Sequence, residues 1–410
     1  MAFKIAVLAA VTAVFLYKLF LSVLQMRSAK NPVPENAADV YDRDTYLKWR
    51  AYHSEKVRFS ILSSAAEFAA ELALLAFNAY AAFAGLFPET DFMQLFAVLL
   101  LSALSSLVLL PFSWYETMVI EEKYGFNRAT PKIFLSDQAK GMALEILLTT
   151  VISVLLMTVH RRLGDWMILA FSVLMTFLIF GISFFYPVFS RIFNKFKPLE
   201  DGDLRNRLTA MLEKNGYRVL DIKFMDSSRR TTKTNAYFTG FGKMKTVVLY
   251  DTLVESMTPE EIIAVFAHEM GHGLHKDTLK NQILSFLQMM ILGLLAWITL
   301  RTAAFFEPFG FSEINYGFAL ILIMSVEFAL IAPLWSLLTN FISRKAEYRA
   351  DAQAVQEGYG EALISGLKKL ARQNLSDLSP LPLLVRLEYS HPSLSQRIEA
   401  IGKAMQRSSF

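Results

Sequence analysis

His268-Glu269-Met270-Gly271-His272 sets two imidazoles four residues apart, with a carboxylate beside the first. On a helix, positions i and i+4 project from one face. Both rings can therefore reach a single zinc ion, and Glu269 is placed to deprotonate a water that the ion activates. That is the chemistry of a hydrolase attacking a polarised carbonyl. A catalytic zinc site also needs a third protein ligand and an open coordination position. Nearby candidates are His275 and Asp277, and Glu347 lies farther along the chain. His275 follows His272 by three residues, so a helix binding through 268 and 272 turns it partly aside. Glu347 and Asp351 are again four apart, so one can bind metal while the other orients a ligand histidine through its free ring nitrogen. Arg344, Lys345 and Arg349 surround them, and a solvated helix face accounts for this pair equally well.

The motif must sit on a helix for its histidines to converge, and the residues before it provide one. Thr258-Pro259-Glu260-Glu261 reads as an N-cap, a first-turn proline and a capping-box glutamate. Ile262, Ile263, Val265 and Phe266 supply the apolar face. Upstream, Leu204 to Asn215 has helical spacing and ends before Gly216. Leu220, Ile222 and Phe224 alternate with Asp221 and Lys223, as in a half-buried strand. Residues 235–239 and 246–250 flank Gly240-Phe-Gly242, the pattern of a hairpin.

This polar segment, 191–281, is enclosed by apolar sequence. The chain is 54% hydrophobic, against roughly 45–50% for soluble domains, and the excess lies in long runs. Seven stretches approach the roughly 20 residues that cross a bilayer: about 3–25, 60–87, 93–118, 141–160, 166–189, 282–306 and 316–341. The first is followed by Arg27 and Lys30 rather than a small-residue cleavage site, which makes it an anchor and not a signal peptide. There are no cysteines, which excludes disulfides, thiolate zinc ligands and cysteine nucleophiles. The net charge of +4 gives no sign of a nucleic-acid partner.

The basic residues sort by side of the membrane. Arg27, Lys30, Arg43, Lys48, Arg50, Lys56 and Arg58 follow the first span, and Lys123, Arg128, Lys132 and Lys140 follow the third. The positive-inside rule then puts the N-terminus outside, and residues 191–281 and the C-terminal tail in the cytoplasm, against the mild counterweight of Arg161 and Arg162. Glu67, Glu71, Glu116, Glu145 and Glu327 fall within spans. A carboxylate facing lipid is costly, so Glu67, Glu71 and Glu327 are expected to line a hydrated chamber, whereas Glu116 can reach the interface. The expected fold is mainly α: seven transmembrane helices around that chamber, with a small α+β zinc metalloprotease insertion.

HExxH with a downstream ExxxD resembles the gluzincins, and the chain as a whole resembles the type I CAAX prenyl proteases from roughly Tyr46 to Arg397. Besides the HEMGH sequence, the likeness rests on Glu121-Glu-Lys-Tyr-Gly-Phe-Asn127, Thr234-Asn-Ala-Tyr-Phe-Thr-Gly240 and Val248-Leu-Tyr-Asp-Thr252. Ser343-Arg-Lys-Ala-Glu-Tyr-Arg-Ala-Asp351 and Tyr389-Ser-His-Pro-Ser393 complete it. Members are integral-membrane zinc metalloproteases that cleave farnesylated C-terminal CAAX peptides in eukaryotes. Their seven helices enclose an aqueous chamber, and the zinc site faces inward beneath soluble segments. The resemblance implies one zinc per chain on His268, His272 and Glu347, with Asp351 behind a ligand and Glu269 as general base. It places His391 and Arg397 near the scissile carbonyl and Asn235 at the start of the substrate-binding edge strand. Taken alone, His391 would be a capping or surface histidine and Asn235 a turn residue.

The apolar runs and the polar insertion divide the chain into a membrane region of five helices (1–190), a soluble protease segment (191–281), two further membrane helices (282–341) and a C-terminal helical segment (342–410), which by the resemblance completes the zinc site. The expected partners are the lipid bilayer and a peptide or protein substrate, membrane-associated or lipidated. Quality-control cleavage of membrane proteins is the alternative within this class. A non-enzymatic seven-helix transporter or channel would explain the intramembrane glutamates but not the HExxH helix. Arg407-Ser-Ser-Phe410 lacks a dilysine signal and the non-cytoplasmic loops are short. Both features suggest a prokaryotic homologue in an inner (plasma) membrane; a eukaryotic member would lie in the endoplasmic reticulum. In either membrane the active site opens to the cytoplasm.

Overall fold

The structure, a computed structural model, describes residues 1–234, 236–239 and 244–408. Six continuous helical segments among them are long and apolar enough to cross a membrane. One of these, Pro131–Phe184, has 54 residues, about 80 Å of helix against a hydrocarbon core of about 30 Å. It cannot be one straight span. It breaks at a 3-10 turn over Gly164–Trp166, where Gly164 has φ 53°, and the two halves pack against each other. The membrane region therefore consists of α1 (Ala2–Ser28), α2 (Arg43–Ala76) with the short α3 (Ala79–Ala84), α4 (Asp91–Tyr115), α5 (Pro131–Leu163) and α6 (Met167–Phe184), followed by the single turn α7 (Tyr186–Phe189).

The second span differs from the expected 60–87. Its helix begins at Arg43, capped by Asp42, and ends before Asn78. Asn78 is left-handed, with φ 56°, a conformation asparagine tolerates better than most residues. Lys4 Nζ donates to Asn78 Oδ1 at 2.6 Å and to the Ala76 carbonyl at 2.8 Å, closing the helix end.

The soluble segment contains α8 (Asp203–Lys214), α9 (Asp251–Ser256), the motif helix α10 (Pro259–Leu274) and four strands: β1 (Phe196–Pro198), β2 (Arg218–Met225), β3 (Ala236–Thr239) and β4 (Met244–Tyr250). The sheet order is β1-β2-β4-β3. β3 and β4 pair antiparallel, with Ala236 opposite Leu249, as the hairpin pattern predicts, and β3 forms the sheet's edge beside α10. The chain then re-enters the membrane through α11 (Asp277–Thr299) and through α12 (Tyr316–Ile321), which continues by a π-helical stretch, Leu322–Phe328, into α13 (Ala329–Gln356). The expected domain limit at 341 falls inside α13, one continuous helix. α14 (Gly360–Gln373), α15 (Pro382–Glu388) and α16 (Leu394–Ser408) follow.

Two large cores form, one among the membrane helices and one in the soluble segment, with three smaller clusters beside them. In the soluble one, Ile262, Ile263, Phe266, Ala267 and Met270 of α10 meet Leu208 and Leu212 of α8, Val247 and Leu249 of β4, Ala354 of α13 and Leu363 of α14. Each large apolar side chain buried there contributes about 1.5–3 kcal/mol. The motif helix is thus held at the centre of this core, not on a loop.

The membrane helices are packed far less tightly. Only 6% of the apolar stretch of α2, and 6% of that of α4, is buried within the protein. A solid bundle would bury one whole face of each helix, so these helices form the wall of a hollow ring. Four of the five intramembrane glutamates take polar partners around it, and the fifth, Glu67, is exposed. Glu71 accepts from Tyr80 at 2.5 Å, Glu327 from Thr299 at 2.7 Å, and Glu145 from Ser102 and Ser106 at 2.5 and 2.9 Å. Glu116 pairs with Lys56 at 3.4 Å. Glu71 Oε1 and Glu327 Oε2 remain buried without a protein donor, which fits carboxylates that share a polar interior with water rather than with lipid.

Candidate metal centre

The start of α10 is fixed by the capping box anticipated from its sequence. The Glu261 N–H donates to Thr258 Oγ1, and the Thr258 N–H returns a bond to Glu261 Oε2 at 2.8 Å. Glu261 is buried, accepts from Ser365 at 2.6 Å and pairs with Lys369 at 2.7 Å, tying the cap to α14. The charge of Lys369 and these hydrogen bonds hold its carboxyl below the usual range, against the opposing effect of burial.

About three turns along, α10 meets α13 at very short range. A Cβ on Gly271 would stand 2.8 Å from Ala350 Cα, so glycine is required here. Opposite it, α13 presents Ala346, Ala350 and Ala354, all buried and spaced by four. This contact of small residues is what brings Glu347 and Asp351 to the histidines.

The ligand atoms of His268, His272 and Glu347 lie within 4.8 Å of one another. His268 Nε2 is 3.6 Å from Glu347 Oε2, and His272 Nε2 is 3.4 Å from Glu347 Oε1. Each ring's other nitrogen is taken up by a carboxylate: His268 Nδ1 by Asp351 Oδ1 at 2.8 Å, and His272 Nδ1 by Asp277 Oδ2 at 3.1 Å. Both Nε2 atoms are thereby turned inward, toward Glu347. Burial works against protonation of His272, yet Glu347 and Asp277 outweigh it and push its pKa up to about 9.

Around Glu347 stand two more basic groups. Arg397 holds Asp351 through Nε at 3.0 Å and Nη2 at 2.6 Å, and its Nη1 is 3.4 Å from Glu347 Oε2. His391 Nδ1 lies 2.9 Å from the same oxygen. That pair is close but not aligned as a hydrogen bond, and Glu347 Oε2 remains a buried acceptor without one. A hydrogen bond weakens steeply when misaligned, so this oxygen stays open to a further partner. Two inward Nε2 atoms, an orphaned carboxylate oxygen and a surplus of negative charge make a donor set suited to a cation in the place the His272 proton takes.

Local structure sets the outer residues as well. Arg344 of α13 donates to the carbonyls of Val385 and Tyr389 at 3.0 and 2.6 Å, which pins the stretch leading to His391. Ser393 and Gln396 cap α16 reciprocally, at 3.0 and 3.4 Å, one residue before Arg397. His391 is largely exposed, at 63% of its side chain, and so is free to meet a ligand. Glu269 is half-buried on α10, and its charge acts on both His272 and Arg397. Asn235 lies outside the described residues.

Sequence reasoning weighed Asp277 only as a metal ligand. Its place behind His272 depends on Lys276, whose left-handed φ of 57° turns the chain back at the end of α10. Lys280 and Arg349 hold the Asp277 carboxylate from the other side, each at 2.9 Å. His275 is the C-cap residue that follows α10 and is not in the converging group.

A multi-pass membrane bundle with an HExxH helix and a converging Glu347 defines a membrane metallopeptidase. Residues 22–195 match the sequence pattern described as CAAX prenyl protease N-terminal, five membrane helices, and residues 198–405 match peptidase family M48. The CAAX prenyl protease 1 homolog of Arabidopsis thaliana is 31% identical over 94% of both chains. CAAX prenyl protease 1 of Saccharomyces cerevisiae is 31% identical over 96% of this chain and 94% of its own. The crystal structure of S. mikatae Ste24p superposes with a TM-score of 0.89 at 30% identity, covering 98% of this chain and 99% of that one. The chain belongs to the CAAX prenyl protease family, peptidase family M48. Membership favours the peptidase over the transporter or channel. These relatives are eukaryotic, so they lend no support to a prokaryotic source.

Proposed function

We propose that this protein is a zinc endopeptidase that cuts extended peptides ending in a prenylated CAAX sequence. The observation that carries the reading is the convergence of His268, His272 and Glu347, with each histidine oriented from behind by a carboxylate. These three side chains would hold the zinc. When bound, the ion supplies Lewis acidity that polarises a peptide carbonyl and makes water a nucleophile at neutral pH. Glu269 accepts the proton of the attacking water and returns it to the leaving amine nitrogen. His391 and Arg397 border Glu347 and offer donors to the oxygen that gains charge. Arg397 does so from a guanidinium already fixed by Asp351.

Substrate binding follows from the sheet. β3 is an edge strand beside the motif helix, and an extended peptide can pair with it through main-chain hydrogen bonds. By family likeness, Asn235 is the residue that would open the substrate-binding edge. The CAAX preference rests on the relatives' names. Placement of the site on the cytoplasmic side rests on the loop charges; the membrane is the endoplasmic reticulum in a eukaryotic cell or the plasma membrane in a prokaryotic one.

The substrate is tested with a farnesylated CAAX peptide and its unfarnesylated twin, incubated with protein purified in detergent. Zinc-dependent cleavage of the farnesylated peptide is expected, with much slower cleavage of its twin. Equal rates on both would favour quality-control proteolysis, for which the hollow bundle is equally suited.

The carboxylate behind His272 gives a further expected result. Asp277→Asn should weaken zinc binding by about 10–100-fold, as loss of such partners generally does. Competition with a graded chelator series reads this directly. Unchanged affinity would mean that His272 needs no such support.

A further inference from the structure

The block Glu121–Asn127 takes no part in the metal centre, yet it is joined to the chain that leads into β3. Glu121 closes a π-helical extension of α4, Glu116–Glu121, a rare geometry that often marks function. Its carboxylate accepts from Tyr52 at 2.6 Å and Lys56 at 3.0 Å of α2, and its second oxygen pairs with Lys233 at 3.0 Å. The Lys233 ammonium also donates to Tyr52 Oη at 3.2 Å and lies 4.6 Å over the Phe126 ring. The backbones meet as well: the Thr232 N–H donates to the Phe126 carbonyl at 3.1 Å, and the Arg128 N–H to the Arg230 carbonyl at 3.0 Å. Arg230 is bound by both oxygens of Asp137 on α5, at 2.7 and 3.1 Å. Three residues beyond Lys233, β3 begins.

The Lys233–Glu121 pair is half-buried, with side chains 35% and 14% exposed, and the sheet is already held by its own strand pairing and by α10. Lys233, however, is shared by a carboxylate and a phenol from two membrane helices and an aromatic face from the loop between α4 and α5. It fixes where the edge of β3 lies relative to the bundle, and catalysis is sensitive to misplacement of that size. We propose that Lys233 is a positioning residue for peptide binding: held by Glu121, Tyr52 and Phe126, it sets the start of β3 so that a paired peptide reaches the motif helix in one register. The proposal rests on the edge-strand reading of substrate binding.

The test uses full-length protein and two fluorogenic farnesylated CAAX peptides, one with a backbone amide before the cleaved bond N-methylated. Lys233→Met should raise KM about tenfold with kcat within about twofold, the signature of lost binding rather than lost chemistry. Zinc content should not change. Lys233→Arg, which keeps the charge, should stay near wild type. Glu121→Gln should shift KM in the same direction, and it stands in if Lys233→Met does not fold. N-methylation should raise KM strongly in wild type and less in Lys233→Met. If wild type is sensitive to N-methylation but Lys233→Met and Glu121→Gln keep its KM, the positioning role is wrong and edge pairing stands. A wild type indifferent to N-methylation, or unable to cut either peptide, removes the substrate reading and this proposal with it. Loss of kcat together with zinc in Lys233→Met would show a structural prop of the metal centre, and also overturns it.

Discussion

Glu269→Ala should abolish peptide hydrolysis while bound zinc stays near one per chain. The residue sits on the motif helix between two histidines whose Nε2 atoms turn toward Glu347, and it has no place among the converging ligand atoms. Its removal therefore takes away a proton acceptor and not a ligand. General base catalysis contributes about 10²–10⁴-fold, so the variant should fall at least two orders of magnitude below wild type in turnover. Metal analysis of the same preparation separates this from simple loss of zinc. Activity at a tenth of the wild-type rate would assign the base elsewhere.

Glu347→Ala is expected to lose the zinc itself. Glu347 is buried, lies within 3.4–3.6 Å of both Nε2 atoms, and keeps one oxygen without a hydrogen bond. Two histidines alone leave a site with too few protein ligands to hold zinc through purification. The substitution also leaves Arg397 Nη1 facing an emptied position, a positive charge that further repels the ion. Elemental analysis of protein purified without chelator should give well under one zinc per chain. Full zinc in this variant would remove Glu347 as a ligand and return attention to His275, because Asp277 is already engaged with His272.

What was legible in the sequence was what is encoded locally. The Thr258–Glu261 capping box, the α8 helix ending before Gly216 and the pairing of β3 with β4 all appear where residue spacing put them. The convergence of His268, His272 and Glu347 was legible because both halves of the group are four-residue helical repeats. Choosing Glu347 over its neighbours needed the family likeness, since the chemistry of the residues alone left His275 and Asp277 open. Features that depend on a contact between distant segments were not legible. Gly271 reads as an ordinary motif glycine until α13 crosses it at Ala350. Asp277 reaches His272 only through the left-handed turn at Lys276. The second span departs from its hydropathy limits for a related reason: hydropathy follows apolar content, whereas the helix is bounded by Asp42 and by the Lys4–Asn78 contact from another helix. The two π-helical stretches, which carry Glu116, Glu121 and Glu327, leave no pattern that composition or periodicity detects.

The central claim is that His268, His272 and Glu347 hold a catalytic zinc. Zinc K-edge X-ray absorption on wild-type protein purified without chelator tests it most directly. The account predicts a stoichiometric edge signal whose inner shell contains two imidazole nitrogens at about 2.0–2.1 Å and carboxylate or water oxygens at about 2.0–2.2 Å. In Glu347→Ala that edge signal should largely vanish. Peptide cleavage by a preparation that shows no zinc edge, or an inner shell of three imidazoles in the active protein, would contradict it.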